Sequence, residues 1–263
     1  MYYELSPDEQ SVLESVAHSL SEDDISYVIL RGFVDLPERV WGDDIDIFVH
    51  EDDFDAVFGV MEDAIPGDPN RKAPIREQLS VALEDPRESV RRVLSEPKIV
   101  IDHLLIRRKH QNLDEPDNKV KLAKFAYGDS RSKHETLRFD VWNHMCYSSP
   151  LHSGKYRVDP EIDRLMLRDR VQHNGFYVPS PPDELAHLVG RTVFYYNEDG
   201  PPSYYMDRMN ELRDTVLSNE SQDEKLHRLL KLMFFDAWET AYLLIDERKY
   251  GSIRGELEAF SDY

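Results

Sequence analysis

The chain has 263 residues, enough for one domain or two small ones with a sizeable core, and its single cysteine, Cys146, excludes an intrachain disulfide or a cysteine-based zinc cluster. No run approaches the roughly 18 apolar residues of a membrane span, and Met1-Tyr2-Tyr3-Glu4 lacks the basic and apolar stretch of a signal peptide, so a cytoplasmic protein is expected. The net charge of −20 is scattered along the chain with 21 Arg, 11 Lys and no basic stripe; it fits the salt-rich cytoplasm of a halophile, where the Debye length shrinks to about 3 Å, and in an ordinary acidic protein it would argue directly against a nucleic-acid partner.

Ser6 followed by Glu9 makes a capping box, and Val12, Leu13, Val16 and Leu20 recur at helical spacing, which predicts a helix over 6–20. Ile25–Leu30 reads as a strand ending at Arg31-Gly32. A proline-containing loop leads to Gly42, Ile45–Val49 reads as a second strand, and 53–64 as an acidic amphipathic helix. Residues 66–97, with five prolines and many charges, read as an insertion, and 99–106 fits strand or helix equally. Residues 120–127 and 135–142 are strand candidates joined by turn chemistry at 128–132. A helix is expected over 161–173, a second from Ser180 to Tyr195, and more helix over 203–217 and 221–247. The organisation that follows is an α/β domain at 1–158 and an all-helical part at 159–263.

The informative segment is Gly42-Asp43-Asp44-Ile45-Asp46-Ile47-Phe48-Val49. Alternate residues of a strand share a face, so Asp44 and Asp46 point one way while Ile45 and Ile47 enter the core. Two carboxylates on one edge repel unless a cation lies between them, so replacing either by asparagine is expected to raise stability without metal. Hard divalent ions such as Mg²⁺ or Mn²⁺ take one or two carboxylates with phosphate oxygens and water, and a further carboxylate from a neighbouring strand completes a two-metal clamp.

This segment resembles the DNA polymerase β-like nucleotidyltransferase superfamily: a strand ending in glycine (Ile29-Leu30-Arg31-Gly32), a loop, a strand with Asp44-x-Asp46, and a later apolar-Asp-apolar motif, matched by Phe139-Asp140-Val141. The resemblance covers residues 25–145. It implies an α+β nucleotidyltransferase fold, a mixed sheet flanked by helices and followed by the helical part, which would shape the acceptor pocket. It also implies transfer of a nucleoside monophosphate from an NTP to a hydroxyl with release of pyrophosphate. Asp44 and Asp46 would bind metal, Asp140 would bind one metal and activate the acceptor, and Gly32 would let the chain approach the phosphates. Arg31 and Arg138 beside the acids would hold phosphate or pair with carboxylates. The acceptor is expected to be a small molecule, glycan or protein in preference to nucleic acid. The family has serine or glycine after the motif glycine, whereas this chain has Phe33. Asp102 within Val100-Ile101-Asp102-His103-Leu104 rivals Asp140, which is favoured because it follows the hairpin and precedes the helices.

Residues from Tyr147 onward also look like nucleotidyltransferase-like proteins of microbial surface-polysaccharide gene sets. Two further readings stay open: a nucleotide-binding or regulatory protein that has lost turnover, and the nucleotidyltransferase half of a toxin–antitoxin pair. His134, His144 and His152 fit no zinc spacing and are read as structural, as are His103, His187 and the tyrosine pairs at 195–196 and 204–205.

Overall fold

The computed structural model describes residues 2–42, 44–67, 110–112, 120–128, 137–148, 155–195 and 201–257. The segment 99–106 with Asp102, the 129–132 turn, His134, His152, Tyr196 and almost all of the expected 66–97 insertion lie outside the described residues.

Strand β1 (Tyr2–Glu4) leads into helix α1 (Pro7–Glu22) through the expected capping box. The Ser6 N–H donates to Glu9 Oε2 at 2.8 Å and the Glu9 N–H to Ser6 Oγ at 3.4 Å, so two orphan donors of the first turn are satisfied reciprocally. Strands β2 (Tyr27–Ile29), β3 (Arg39–Trp41) and β4 (Ile45–Val49) follow, then helix α2 (Val57–Ala64). The expected helix start at 53 gives way to turns through 56, since the amide of Asp53 is already tied to the His50 carbonyl at 3.1 Å. Strands β5 (His110–Asn112), β6 (Lys121–Tyr127) and β7 (Leu137–Trp142) complete a sheet of order β2-β4-β7-β6-β5 among the described residues. The sheet is mixed: β4 runs parallel to β7, and the other neighbours are antiparallel.

Every residue of β4 is buried, as befits a central strand covered on both faces. One face carries Ile45, Ile47, Val49, Phe139 and Val141 and packs against α1 and α2. The opposite face carries Phe48 next to Val28 and Leu30, covered by Met145, Met166 and Leu167. Asp46 and Asp140 lie on that second face by alternation.

Beyond the sheet come β8 (Cys146–Ser148) paired with β9 (Lys155–Arg157), and helix α3 (Pro160–Arg168), capped by Asp159. The expected 161–173 helix stops at Arg168. Val171–His173 (β10) and Phe176–Val178 (β11) instead form a hairpin, because Asn174 and Gly175 take positive φ and turn the chain. This hairpin interrupts the expected all-helical C-terminal part and sends Phe176 and Val178 into the sheet core. Helices α4 (Pro181–Phe194), α5 (Ser203–Leu217) and α6 (Glu220–Phe234) then build the helical region. The single helix expected over 221–247 is broken at Phe235, whose φ of 46° ends α6. A 3₁₀ turn leads to α7 (Trp238–Asp246), and α8 (Tyr250–Glu256) follows. Leu185, Leu188, Val189, Met209, Leu212, Leu226 and Leu230 form the helical core. Glu184 on α4 accepts both prongs of the Arg208 guanidinium on α5, at 2.8 and 2.7 Å.

Gly190 is the tightest joint of that core: a Cβ there would stand 2.7 Å from the buried Tyr147 ring and 2.5 Å from Met233 Cε. Gly59 on α2 has open space around it. Gly190→Ala is expected to destabilise by about 1–3 kcal/mol through overpacking, and Gly59→Ala to stabilise by about 0.5–1 kcal/mol through helix propensity. Thermal melts of the two variants check the pair; equal melting temperatures would contradict the packing described here.

Candidate active site

Gly32 ends the β2 segment with φ of +70°, and a Cβ there would meet the Trp41 carbonyl oxygen at 2.8 Å. Only glycine fits both conditions. The turn brings β3 back beside Gly32, and Gly42 (φ +113°) redirects the chain into Asp44 and β4. The parallel register sets Asp46 directly opposite Asp140. A ligand oxygen from each of Asp44, Asp46 and Asp140 lies within 4.8 Å of the others, with Asp46 and Asp140 buried and Asp44 partly so.

Three carboxylates this close demand positive charge, and two cations supply it through direct bonds. The Arg31 Nε donates a short bond to Asp46 Oδ2, and its Nη2 reaches Asp44 Oδ1 at 3.1 Å. The remaining Nη1 donates to the Tyr205 hydroxyl at 3.0 Å, tying the site to α5. Lys124 sits opposite Asp140 on β6 and its Nζ donates to Asp140 Oδ2 at 2.6 Å. The Trp142 indole N–H donates to Asp46 Oδ1 at 3.3 Å.

The two buried aspartates differ in their proton affinity. Burial pushes the Asp46 carboxyl up, but the Arg31 guanidinium, the Arg191 charge and the Trp142 bond outweigh it and hold the group below the usual carboxylate range. Burial raises Asp140 to about 6, with Asp44 and Asp46 adding to the rise and Lys124 opposing it. His187 on α4 is driven down to about 3 by burial and by the Arg191 charge, so it is neutral; its Nδ1 lies 3.1 Å from the Tyr147 hydroxyl.

Of the residues expected from the sequence, Asp44, Asp46, Asp140 and Arg31 converge, and Gly32 follows Arg31 in the chain, packed against Trp41. Arg138 lies on β7 two residues before Asp140 and opposite Ala126, half-buried. Phe33 is buried in the sheet core, with its ring near His173 and the Arg208 guanidinium. Sequence reading missed Lys124, Trp142, Tyr205 and Arg191. Lys124 was within reach, since a β6–β7 hairpin has an inferable register; Tyr205 and Arg191 approach only through the packing of the helical region.

No protein-family model matches the chain, and no curated protein matches it. Two solved structures align with nearly all of it. A candidate nucleotidyltransferase from H. pylori shares 12% identity over 97% of this chain and 99% of its own, with a TM-score of 0.32. JHP933 from Helicobacter pylori shares 13% identity over 98% and 97%, with a TM-score of 0.35. At such scores the alignments carry nothing beyond the likeness itself, and the chemistry rests on the site's own geometry. Among the described residues, no helix is long and apolar enough to cross a membrane.

The structure reverses one expected sign: neutralising Asp46 removes the partner of a buried guanidinium, whereas neutralising Asp140 removes a strained charge. In EDTA at pH 7.5, Asp46→Asn is expected to lower stability by about 1.5–3 kcal/mol, and Asp140→Asn to raise it by about 1–3 kcal/mol. Because the Asp140 carboxyl is raised, the native state binds more protons than the unfolded chain between about pH 4 and 6. Its cost to stability is full above pH 6 and fades on acidification, so the gain from Asp140→Asn should vanish near pH 4. Denaturant melts across that range check the sign; a gain from Asp46→Asn would contradict it.

Proposed function

We propose that the chain is a metal-dependent nucleotidyltransferase that moves a nucleoside monophosphate from an NTP to a hydroxyl acceptor, releasing pyrophosphate. The observation that carries this reading is the convergence of Asp44, Asp46 and Asp140 within 4.8 Å, the latter two on one buried sheet face. The donor set fits Mg²⁺ or Mn²⁺, since carboxylate oxygens are the ligands such hard ions prefer. Asp44, Asp46 and Asp140 would hold the ions, which when bound supply charge stabilisation to the phosphates.

The remaining roles belong to the chain itself. Asp140, the one carboxylate of the three that Arg31 does not engage, takes the proton of the acceptor hydroxyl as general base. The acceptor oxygen then bonds to the α-phosphorus as the bond to the pyrophosphate oxygen breaks. Arg31, held by Tyr205, keeps a guanidinium beside the acids where it meets phosphate oxygens in a bidentate manner. The acceptor is a small molecule, glycan or protein before nucleic acid, since the sequence carries no basic stripe to meet a phosphate backbone.

A second reading, a nucleotide-binding protein without turnover, draws on Phe33. It is buried where a phosphate-gripping serine would stand, while Arg31 and Lys124 already neutralise the carboxylates. NTP binding without pyrophosphate release would favour it.

Calorimetry at high salt tests the proposal. Wild-type protein is expected to bind NTP only with Mg²⁺ or Mn²⁺, and Asp44→Asn and Asp46→Asn are each expected to weaken that binding at least ~10-fold, the loss of about 1.4 kcal/mol. Undiminished binding in both variants would remove the metal site and the activity with it.

A further inference from the structure

Acids outnumber bases by 52 to 32 in this chain, so a cation finds a carboxylate easily. Arg31, Arg39, Arg208, Arg213 and Arg228 each hold one. Arg191, in the last turn of α4, does not. Among the described residues its side chain makes no ion pair and no hydrogen bond, and its Nε is shut away from solvent without a partner. A guanidinium carries five N–H donors and cannot shed its charge, so leaving it unmatched in a half-buried position calls for an anion from outside the chain.

The surroundings show where that anion would lie. Arg191 is close enough to the aspartate cluster for its charge to help hold the Asp46 carboxyl low. Yet both Asp46 oxygens are taken, Oδ2 by Arg31 and Oδ1 by the Trp142 indole, so Arg191 acts on Asp46 through its field alone. The acids at the start of its own helix are engaged as well, Asp183 by Lys225 at 2.5 Å and Glu184 by Arg208 at 2.7 Å. His187, one turn earlier on the same helix face, is neutral and buried, hydrogen-bonded through Nδ1 to Tyr147 with Nε2 unpartnered. The Arg191 guanidinium packs over the Tyr195 ring, 4.5 Å from its centroid, which fixes the plane of the fork and leaves its N–H edge open.

We propose that Arg191 binds the β- and γ-phosphate oxygens of the NTP and holds the pyrophosphate as it leaves. This role rests on the nucleotidyltransferase reading, and it gives α4 a task that the loop after Gly32 cannot perform, since Phe33 offers no hydroxyl and is buried. As the acceptor oxygen bonds to the α-phosphorus and its proton passes to Asp140, the bond from that phosphorus to the β-phosphate oxygen breaks, and the electron pair stays on pyrophosphate. A planar guanidinium meets two of the oxygens on which charge builds, through two parallel charge-assisted bonds. A lysine would keep the positive charge, which the C-terminal end of a helix favours in any case, but not the fork.

Calorimetry with Mn²⁺ alone, and then with inorganic tripolyphosphate in saturating Mn²⁺, tests this role without a choice of nucleobase. Tripolyphosphate is expected to bind the wild-type protein; Arg191→Gln should weaken it at least ~10-fold, and Arg191→Lys, which keeps the charge and loses the fork, by a smaller factor. Mn²⁺ alone should bind both variants no more weakly than wild type, because neither change adds positive charge beside the acids. Arg191 holds no other side chain by a hydrogen bond, so both variants are expected to fold, and either one suffices for the comparison. Undiminished tripolyphosphate affinity in either variant, or no tripolyphosphate binding by Mn²⁺-loaded wild type, overturns the role of Arg191 and leaves the metal site standing. No Mn²⁺ uptake by wild type removes the nucleotidyltransferase reading, and this role with it.

Discussion

Three carboxylates gathered at a sheet face, two of them buried, repel one another, and much around them serves to balance that charge. Arg31 spans Asp46 and Asp44, Lys124 reaches Asp140 across the hairpin, and Arg191 adds its field from the helical region. Even so the balance is incomplete, and Asp140 retains a proton affinity well above that of an ordinary aspartate. Groups with proton affinities shifted by burial and by neighbouring charges cluster at functional sites. Arg31 and Lys124 stand on the same oxygens a divalent ion would use, so the guanidinium and the ion compete for one set of ligands.

The two halves of the chain meet at this site. The sheet contributes the acids, while α5 contributes the Tyr205 hydroxyl that holds Arg31, and α4 carries Arg191 and the neutral His187. The covering of the second sheet face by Met145, Met166 and Leu167 buries Phe48 and ends where the aspartates begin. The acids are thus flanked by apolar packing on one side and by helical residues on the other, which lowers the local dielectric and magnifies every charge interaction within.

The catalytic candidates were legible because they depend on local periodicity. Alternation alone put Asp44 and Asp46 on one face, and the hairpin reading put Asp140 on a neighbouring strand; the observed register seats it opposite Asp46. The capping box of Ser6 and Glu9 was legible for the same reason. What stayed hidden depends on long-range contact. Strand β10 was read as the end of a helix because Val171 and His173 continue the spacing of α3, while Asn174 and Gly175, which turn the chain, are separated from it by only a few residues. The break at Phe235 has no proline or glycine to announce it. Arg31 looked like a phosphate ligand or a carboxylate partner from its position in sequence, and only the packed structure shows it bridging two of the acids.

The central claim is that the aspartate cluster is a divalent-metal site in which Arg31 stands in for the ion. A crystal structure grown with Mn²⁺ and a non-hydrolysable NTP, phased on manganese anomalous scattering, tests it most directly. The account predicts manganese bound to Asp44, Asp46 and Asp140, with Arg31 turned away from at least one carboxylate and onto the triphosphate. Arg31 still paired to both Asp44 and Asp46, with no manganese among the three acids, would contradict it.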